Sequence, residues 1–138
     1  MSQPSRMLPP NEIDIQWWWD EVQKDVLPIQ RCGQCQTLRH PPRPMCSECR
    51  SMEFDFIEST GKGVLASHTA LYHPQFPGYE YPIAMGLIDL EEGTRITAEI
   101  KGISVEDIQF GMSVEVQFQQ DPSGFKLPVF VAVEGEQA

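Results

Sequence analysis

The sequence predicts a mainly β protein: one N-terminal helix, a small cysteine-knuckled module, and a C-terminal five-stranded barrel of the OB type. Three observations predict it. They are one amphipathic stretch near the start, two C-x-x-C pairs between residues 32 and 49, and five β-patterned runs after residue 58 with a single short helical interruption. These shifts divide the chain into an arm and helix over 1–28, a cysteine module over 29–58 and a barrel over 59–138. At 138 residues and 41% hydrophobic side chains, the chain can bury one ordinary core or two very small ones.

The helix is expected from Asn11 to Val26. Asn11 is its candidate cap, Glu12 and Asp14 place negative charge in the first turn, and Pro28 stops it. Ile15, Trp18, Trp19, Val22 and Val26 share one stripe, with Gln16, Asp20, Glu21, Gln23 and Lys24 on other faces. Three consecutive tryptophans cannot share that stripe, because neighbouring helical side chains diverge by about 100°. Ile13 and Trp17 therefore point the other way. Either Trp17 lies over its own domain, or it and Ile13 form a second apolar face that meets another protein, as tryptophan anchors often do. We take the second as the expectation, with Trp18 and Trp19 holding the helix to its own domain.

Residues 31–50 hold all four cysteines and four of the ten basic residues. Cys32 and Cys35, then Cys46 and Cys49, form two C-x-x-C pairs, and each such turn sets two thiolates on one side of a tight loop. Two turns complete a tetrahedron around zinc. A four-thiolate cage has no open position for substrate water, so the metal is expected to be structural and to contribute folding energy. Two disulfides, free thiols or iron in the same cage are the other readings of this residue set. His40 is read as a loop residue. Arg31, Arg39, Arg43 and Arg50 either offset the charge of the thiolates or contact an acidic partner.

The barrel strands are GKGVLASHTALYH (61–73), YPIAMGLIDL (81–90), TRITAEIKG (94–102), MSVEVQFQQ (112–120) and LPVFVAV (127–133). Ile96, Ala98 and Ile100 alternate with Arg95, Thr97, Glu99 and Lys101, and Val114, Val116 and Phe118 alternate with Glu115, Gln117 and Gln119. The 83–90 run is apolar on both faces, so it is expected at a covered, central place. Between the third and fourth runs, SVEDIQFG (104–111) has Ser104 as a cap and Gly111 as a stop, which predicts one or two helical turns. Three strands, a short helix and two more strands is the order of an OB barrel. The loop HPQFPGYEYP (73–82) is expected at a mouth of that barrel. Tyr72, Phe76, Tyr79 and Tyr81 would form an aromatic rim there, either packed on the barrel or offered to a partner.

Composition narrows function. Ten basic against 20 acidic residues give a net charge of −10, which repels phosphate backbones. Zinc ribbons and OB barrels do serve single-stranded nucleic acids, so a nucleic-acid-binding protein is the alternative class. The start of the chain has one arginine and no long apolar run, so a cytoplasmic protein with no membrane association is expected. No nucleophile elbow or phosphate-cradling glycine loop occurs. His68 and His73 are read as strand and loop residues, since neither has an assignable acid or base partner.

CGQCQTLRHPPRPMCSEC, the short helix before it, GKGVLASHTALYHP, PIAMGLIDLEEGTRITAEIKG and FGMSVEVQF together resemble one family. It is the zinc-ribbon, OB-fold acyl-CoA-associated proteins, small accessory partners of thiolase-like enzymes. The resemblance runs from about residue 12 to residue 133. It implies an N-terminal helix, a rubredoxin-like zinc ribbon with structural zinc on Cys32, Cys35, Cys46 and Cys49, and a C-terminal OB domain. It also implies a non-catalytic subunit of a hetero-oligomer whose thiolase-like partner, of lipid-transfer-protein type, carries the catalytic groups. That partner would be a retro-aldolase acting on steroid or other lipid side-chain CoA thioesters, or an acyltransferase. Ile13, Trp17, Arg39, Arg43, Tyr72, Phe76 and Tyr79 are the candidate partner-binding residues, and the partner's acyl-CoA is a further candidate ligand. One departure concerns loop shape: Gln36 and Arg50 follow the knuckles where glycine is common.

Overall fold

A computed structural model describes residues 8–9 and 12–133. Helix α1 (Gln16–Val22) is followed by β1 (Pro28–Cys32), β2 (Leu38–Arg39) and β3 (Phe54–Glu58). These strands form an antiparallel sheet in the order β2-β1-β3, a framework for the cysteine turns.

The helix is shorter than its pattern predicts. Asn11 lies outside the described residues, and Ile15 occupies the N-cap position without a side-chain cap. Glu12 and Asp14 fall in the preceding turn, where the Gln16 amide donates to the Glu12 carbonyl at 2.9 Å. At the other end Asp25 turns left-handed (φ 64°), which stops helical continuation before Val26. So short a helix persists only by packing. Trp18 (6% exposed) and Val22 (0%) are buried in it, and the Trp18 indole N–H donates to the Pro28 carbonyl at 3.0 Å.

The barrel comprises β4 (Lys62–Leu71), β5 (Ile83–Leu90), β6 (Arg95–Lys101), β7 (Ser113–Gln120) and β8 (Lys126–Ala132). It closes in the order β4-β5-β6-β8-β7, with β6 and β8 parallel and the other pairs antiparallel. β4 reaches both neighbours by a register shift between Leu65 and Ser67, a bulge that bends the strand around the barrel. The interruption between β6 and β7 is one 3-10 turn, Val105–Asp107. Ser104 stands at its cap position but makes no side-chain cap bond.

Leu65, Ile88, Ile96, Ile100, Val114 and Phe130 fill the barrel, as the alternation requires. The buried cluster continues without a break through Ile29 and Leu27 to Val22 and Trp18. Polar side chains clamp the pieces together. Gln23 bonds both backbone groups of Lys126: its amide donates to the carbonyl at 3.1 Å and its oxygen accepts from the N–H at 2.9 Å. At the ribbon–barrel junction Glu92 accepts from the Ser59 hydroxyl and the Thr60 amide, both at 2.8 Å.

Candidate metal centre and docking surfaces

Both cysteine pairs fold into the same turn. The Cys32 amide donates to the Thr37 carbonyl and the Gln36 amide returns to the Cys32 carbonyl; Cys46, Ser51 and Arg50 repeat the pattern at 2.9 and 3.0 Å. The amides of Gln34 and Cys35 point at the Cys32 sulfur, and that of Glu48 at the Cys46 sulfur, each at 3.4 Å. The turns close because Gln36 (φ 69°) and Arg50 (φ 66°) take the left-handed conformation that glycine would supply more easily.

Between the turns, the four sulfurs lie within 4.8 Å of one another, with Cys32–Cys49 at 3.4 Å and Cys35–Cys46 at 3.6 Å. A tetrahedron with zinc–sulfur bonds of about 2.3 Å has sulfur–sulfur edges of about 3.8 Å, whereas a disulfide needs about 2.05 Å. The spacing fits the metal. Electrostatics agree. Amides of Cys35 and Gln34 pull the Cys32 thiol down to about 6, and the Thr37 hydroxyl and amide lower Cys35. Cys49 goes up to about 12: the Ser51 amide favours its thiolate, but proton sharing with Cys32, burial and the other sulfurs outweigh that bond. Without a cation Cys49 therefore keeps its proton. A divalent ion lets all four ionise, and with four sulfur ligands no position is left for a substrate.

His40 lies outside this cage. Its ring packs 5.6 Å from that of Trp18, and burial pushes its pKa down to about 4, so it is neutral. Behind the cage the buried Gln30 side chain accepts from the Arg43 amide at 2.8 Å and donates to the Arg43 carbonyl at 2.9 Å. This clamp holds the loop between the knuckles. A glutamine flanked by an apolar residue and an arginine, two positions before a ligand cysteine, was its only trace in the sequence.

The candidate partner residues fall into separate groups. Ile13 is 91% exposed in the turn before α1. Trp17 is half-buried: its ring lies 5.3 Å from Phe54 and 5.5 Å from Phe56, both exposed on β3, and its N–H donates to the Asp14 carbonyl. Phe54 and Phe56 extend the Trp17 surface into an aromatic platform that the sequence reading missed. Arg39 turns inward, donating to the Arg43 carbonyl at 2.8 Å, while Arg43 is exposed. Arg31 forms a two-pronged pair with Asp55 at 2.8 Å. Tyr72 and Phe76 are exposed, and Tyr79 is half-buried beside Tyr81. Phe76 and Tyr79 overhang a hollow between α1, the ribbon and the outer wall of the barrel; Tyr72 lies outside it.

A four-cysteine ribbon joined to a five-stranded OB barrel defines the class of protein. Residues 19–55 match the rubredoxin-like zinc ribbon domain of ChsH2, and residues 56–119 match its C-terminal OB-fold domain. The chain belongs to the ChsH2 family of zinc-ribbon, OB-fold proteins. It is similar to one chain of an Ltp2-ChsH2(DUF35) aldolase, with TM-score 0.86 and 36% identity over 91% of this chain and 98% of that one. It is 38% identical over 117 residues to a probable enoyl-CoA hydratase alpha subunit of Thermomonospora curvata. It is 32% identical over 116 residues to the 3-oxo-4,17-pregnadiene-20-carboxyl-CoA hydratase alpha subunit of Mycobacterium tuberculosis. These matches cover 85% and 84% of this chain but only 37% of each relative's length.

Proposed function

We infer that this chain is a non-catalytic accessory subunit of a thiolase-superfamily enzyme that acts on CoA thioesters. The leading reaction is retro-aldol cleavage of a steroid or other lipid side-chain thioester, with acyl transfer as the other. The observation that carries this reading is the closed metal cage: among the described residues, the one cluster able to hold a metal has all four ligand positions filled by protein. The remaining candidates for chemistry stand apart. His40 is half-buried and neutral, and His68 packs its ring on Phe110. The same fold occurs in one chain of an aldolase, and similar sequence occurs within two proteins named as hydratase subunits. A part common to different reactions is better explained as scaffold than as catalyst.

The surface that meets the partner is the Trp17–Phe54–Phe56 platform with Ile13 beside it in sequence. Arg43, which Arg39 holds, and the aromatic rim of Tyr72, Phe76 and Tyr79 add further contacts. Aromatic residues and arginine are the side chains that most often anchor such interfaces. Binding of single-stranded nucleic acid is disfavoured because Arg31 and Arg95 are paired with Asp55 and Asp89, and Arg39 turns inward, on a chain of net charge −10. No helix among the described residues is long and apolar enough to cross a membrane.

Purification of the tagged chain from its own cells tests the assignment. A thiolase-type enzyme should accompany it, acyl-CoA turnover should appear in the complex and not in the chain alone, and Trp17→Ala should weaken the association with zinc content unchanged. Turnover by the isolated chain, or recovery with nucleic acid in place of such an enzyme, would count against it.

A further inference from the structure

Strand β3 lies at the outside of the ribbon sheet, and among the described residues it pairs with β1 alone. Its register fixes which peptide groups that pairing uses. Just beyond the two ends of the ladder, the Gly33 amide donates to the Glu53 carbonyl and the Ser59 amide to the Leu27 carbonyl, both at 2.8 Å. Bonded pairs recur at every second residue of an antiparallel ladder, so Asp55 and Ile57 exchange bonds with Arg31 and Ile29. Pro28, which has no N–H, stands opposite Glu58 at an unbonded pair, as this phase requires. The amides and carbonyls of Phe54, Phe56 and Glu58 therefore point away from the sheet, and no group among the described residues bonds to them.

A row of unpaired donors and acceptors along an exposed strand is a template for another strand, and edges that stay free are guarded by lysine, proline, a bulge or a covering loop. β3 has none of these guards among the described residues. Its sequence FDFIE contains no lysine or proline, its register with β1 runs unbroken, and Phe54, Asp55, Phe56 and Glu58 are all exposed. The charge of Asp55 is already answered by Arg31 across the sheet. Phe54 and Phe56 also carry the Trp17 platform, so a strand added at this edge would continue the aromatic surface. A second copy of this chain is a poor occupant, because each copy has a net charge of −10 and β3 supplies no cation.

We propose that the open edge of β3 receives an extended segment of the thiolase-type partner, which adds a fourth strand to the ribbon sheet, lays apolar side chains beside Phe54 and Phe56, and sets a basic side chain near Glu58. The identity of the partner rests on the function inferred above; the open edge does not. Backbone pairing supplies the affinity, and side chains on the platform face supply the selectivity.

The test compares the purified, zinc-loaded full chain with its complex with the thiolase-type enzyme recovered from the same cells. Amide hydrogen exchange is read residue by residue. Phe54, Phe56 and Glu58 should exchange freely in the isolated chain and be slowed roughly a hundredfold in the complex, with Asp55 and Ile57, bonded to β1 in both states, as internal references. Glu58→Pro removes an outward N–H and no bond to β1, a change that edge strands accept. It should weaken the complex roughly tenfold or more, with zinc content and melting midpoint close to wild type. Glu58→Ala keeps the N–H and removes the carboxylate, so it should cost no more than about threefold, the worth of an exposed ion pair. If Glu58→Pro fails to fold, the exchange result alone decides. Free exchange at the three amides in an intact complex, or equal association by folded Glu58→Pro, would overturn the proposal and leave the accessory role in place. Slow exchange at them in the isolated chain would also overturn it, since the edge would then be covered by the chain's own residues or by a second copy. Failure of the wild-type chain to recover any thiolase-type enzyme ends the inferred function, and the strand pairing with it.

Discussion

Gln36 and Arg50 sit at equivalent points of the two knuckles, each with a side chain where a left-handed backbone favours none. A non-glycine residue there costs on the order of 1 kcal/mol. Gln36→Gly should therefore stabilise the zinc-loaded protein by up to about 1 kcal/mol, less the entropy glycine adds to the unfolded chain. A thermal melt compared with wild type reads the sign, and a lower midpoint would show that the Gln36 side chain contributes more than the strain it carries. His40 gives a pH dependence. Its folded value, about 4, lies below its ordinary value of 6.5, so between them the unfolded chain binds a proton that the folded chain refuses. The stability from keeping it neutral is complete above pH 6.5 and is lost as pH falls toward 4. At about pH 5.5 the loss should be roughly 1 kcal/mol, and His40→Phe, which keeps a ring against Trp18, should flatten that part of the stability curve. The cysteine types and their spacing made the metal legible at this scale. Gln30 and Gln23 were not legible, because a glutamine's partners are backbone groups brought close only by folding.

Among the elements, the β4–β5 pairing is a close approach that the sequence pattern could not disclose. A β-carbon on Gly63 would fall 2.6 Å from Ile88 and 2.7 Å from the Asp89 carbonyl, so backbone as well as side chain must move to admit it. Gly63→Ala should destabilise the barrel by about 1–3 kcal/mol in denaturant unfolding, with little change in zinc content. An unchanged midpoint would mean that the bulge beyond Leu65 relaxes to absorb the methyl group. Strands β6 and β7 were readable because one side is core and the other largely polar, which imprints period two on the residues, whereas β5 was readable as a covered run apolar on both faces. The ribbon strands were not, since β2 has two residues and β3 alternates weakly: Phe54 and Phe56 are exposed under Trp17. Helix α1 was misjudged in length because apolar spacing continued through Val26 after the backbone had turned at Asp25.

At the scale of the whole molecule, the helix, β1 and the barrel share one buried cluster that joins Trp18 through Ile29 to Phe130. Structural zinc contributes on the order of 10 kcal/mol in small ribbon-like modules, more than the total stability of many domains. Chelation should therefore unfold β1–β3, release Trp17 from Phe54 and Phe56, and shift tryptophan emission to the red. The barrel, with its own filled interior, should retain slow amide exchange at Ile88 and Ile100. Retention of slow exchange in β1 after metal removal would show that the ribbon folds without its ion. The sequence by itself determined the cysteine cage, the order of the barrel strands and the class of fold, because ligand spacing and strand alternation are local properties of the chain. Only the tertiary structure decided where Trp17 rests, which glutamines clamp the loops, and that the outer face of β5 floors a hollow. Each of these depends on surfaces that are distant in sequence and meet only when the ribbon folds back over the barrel.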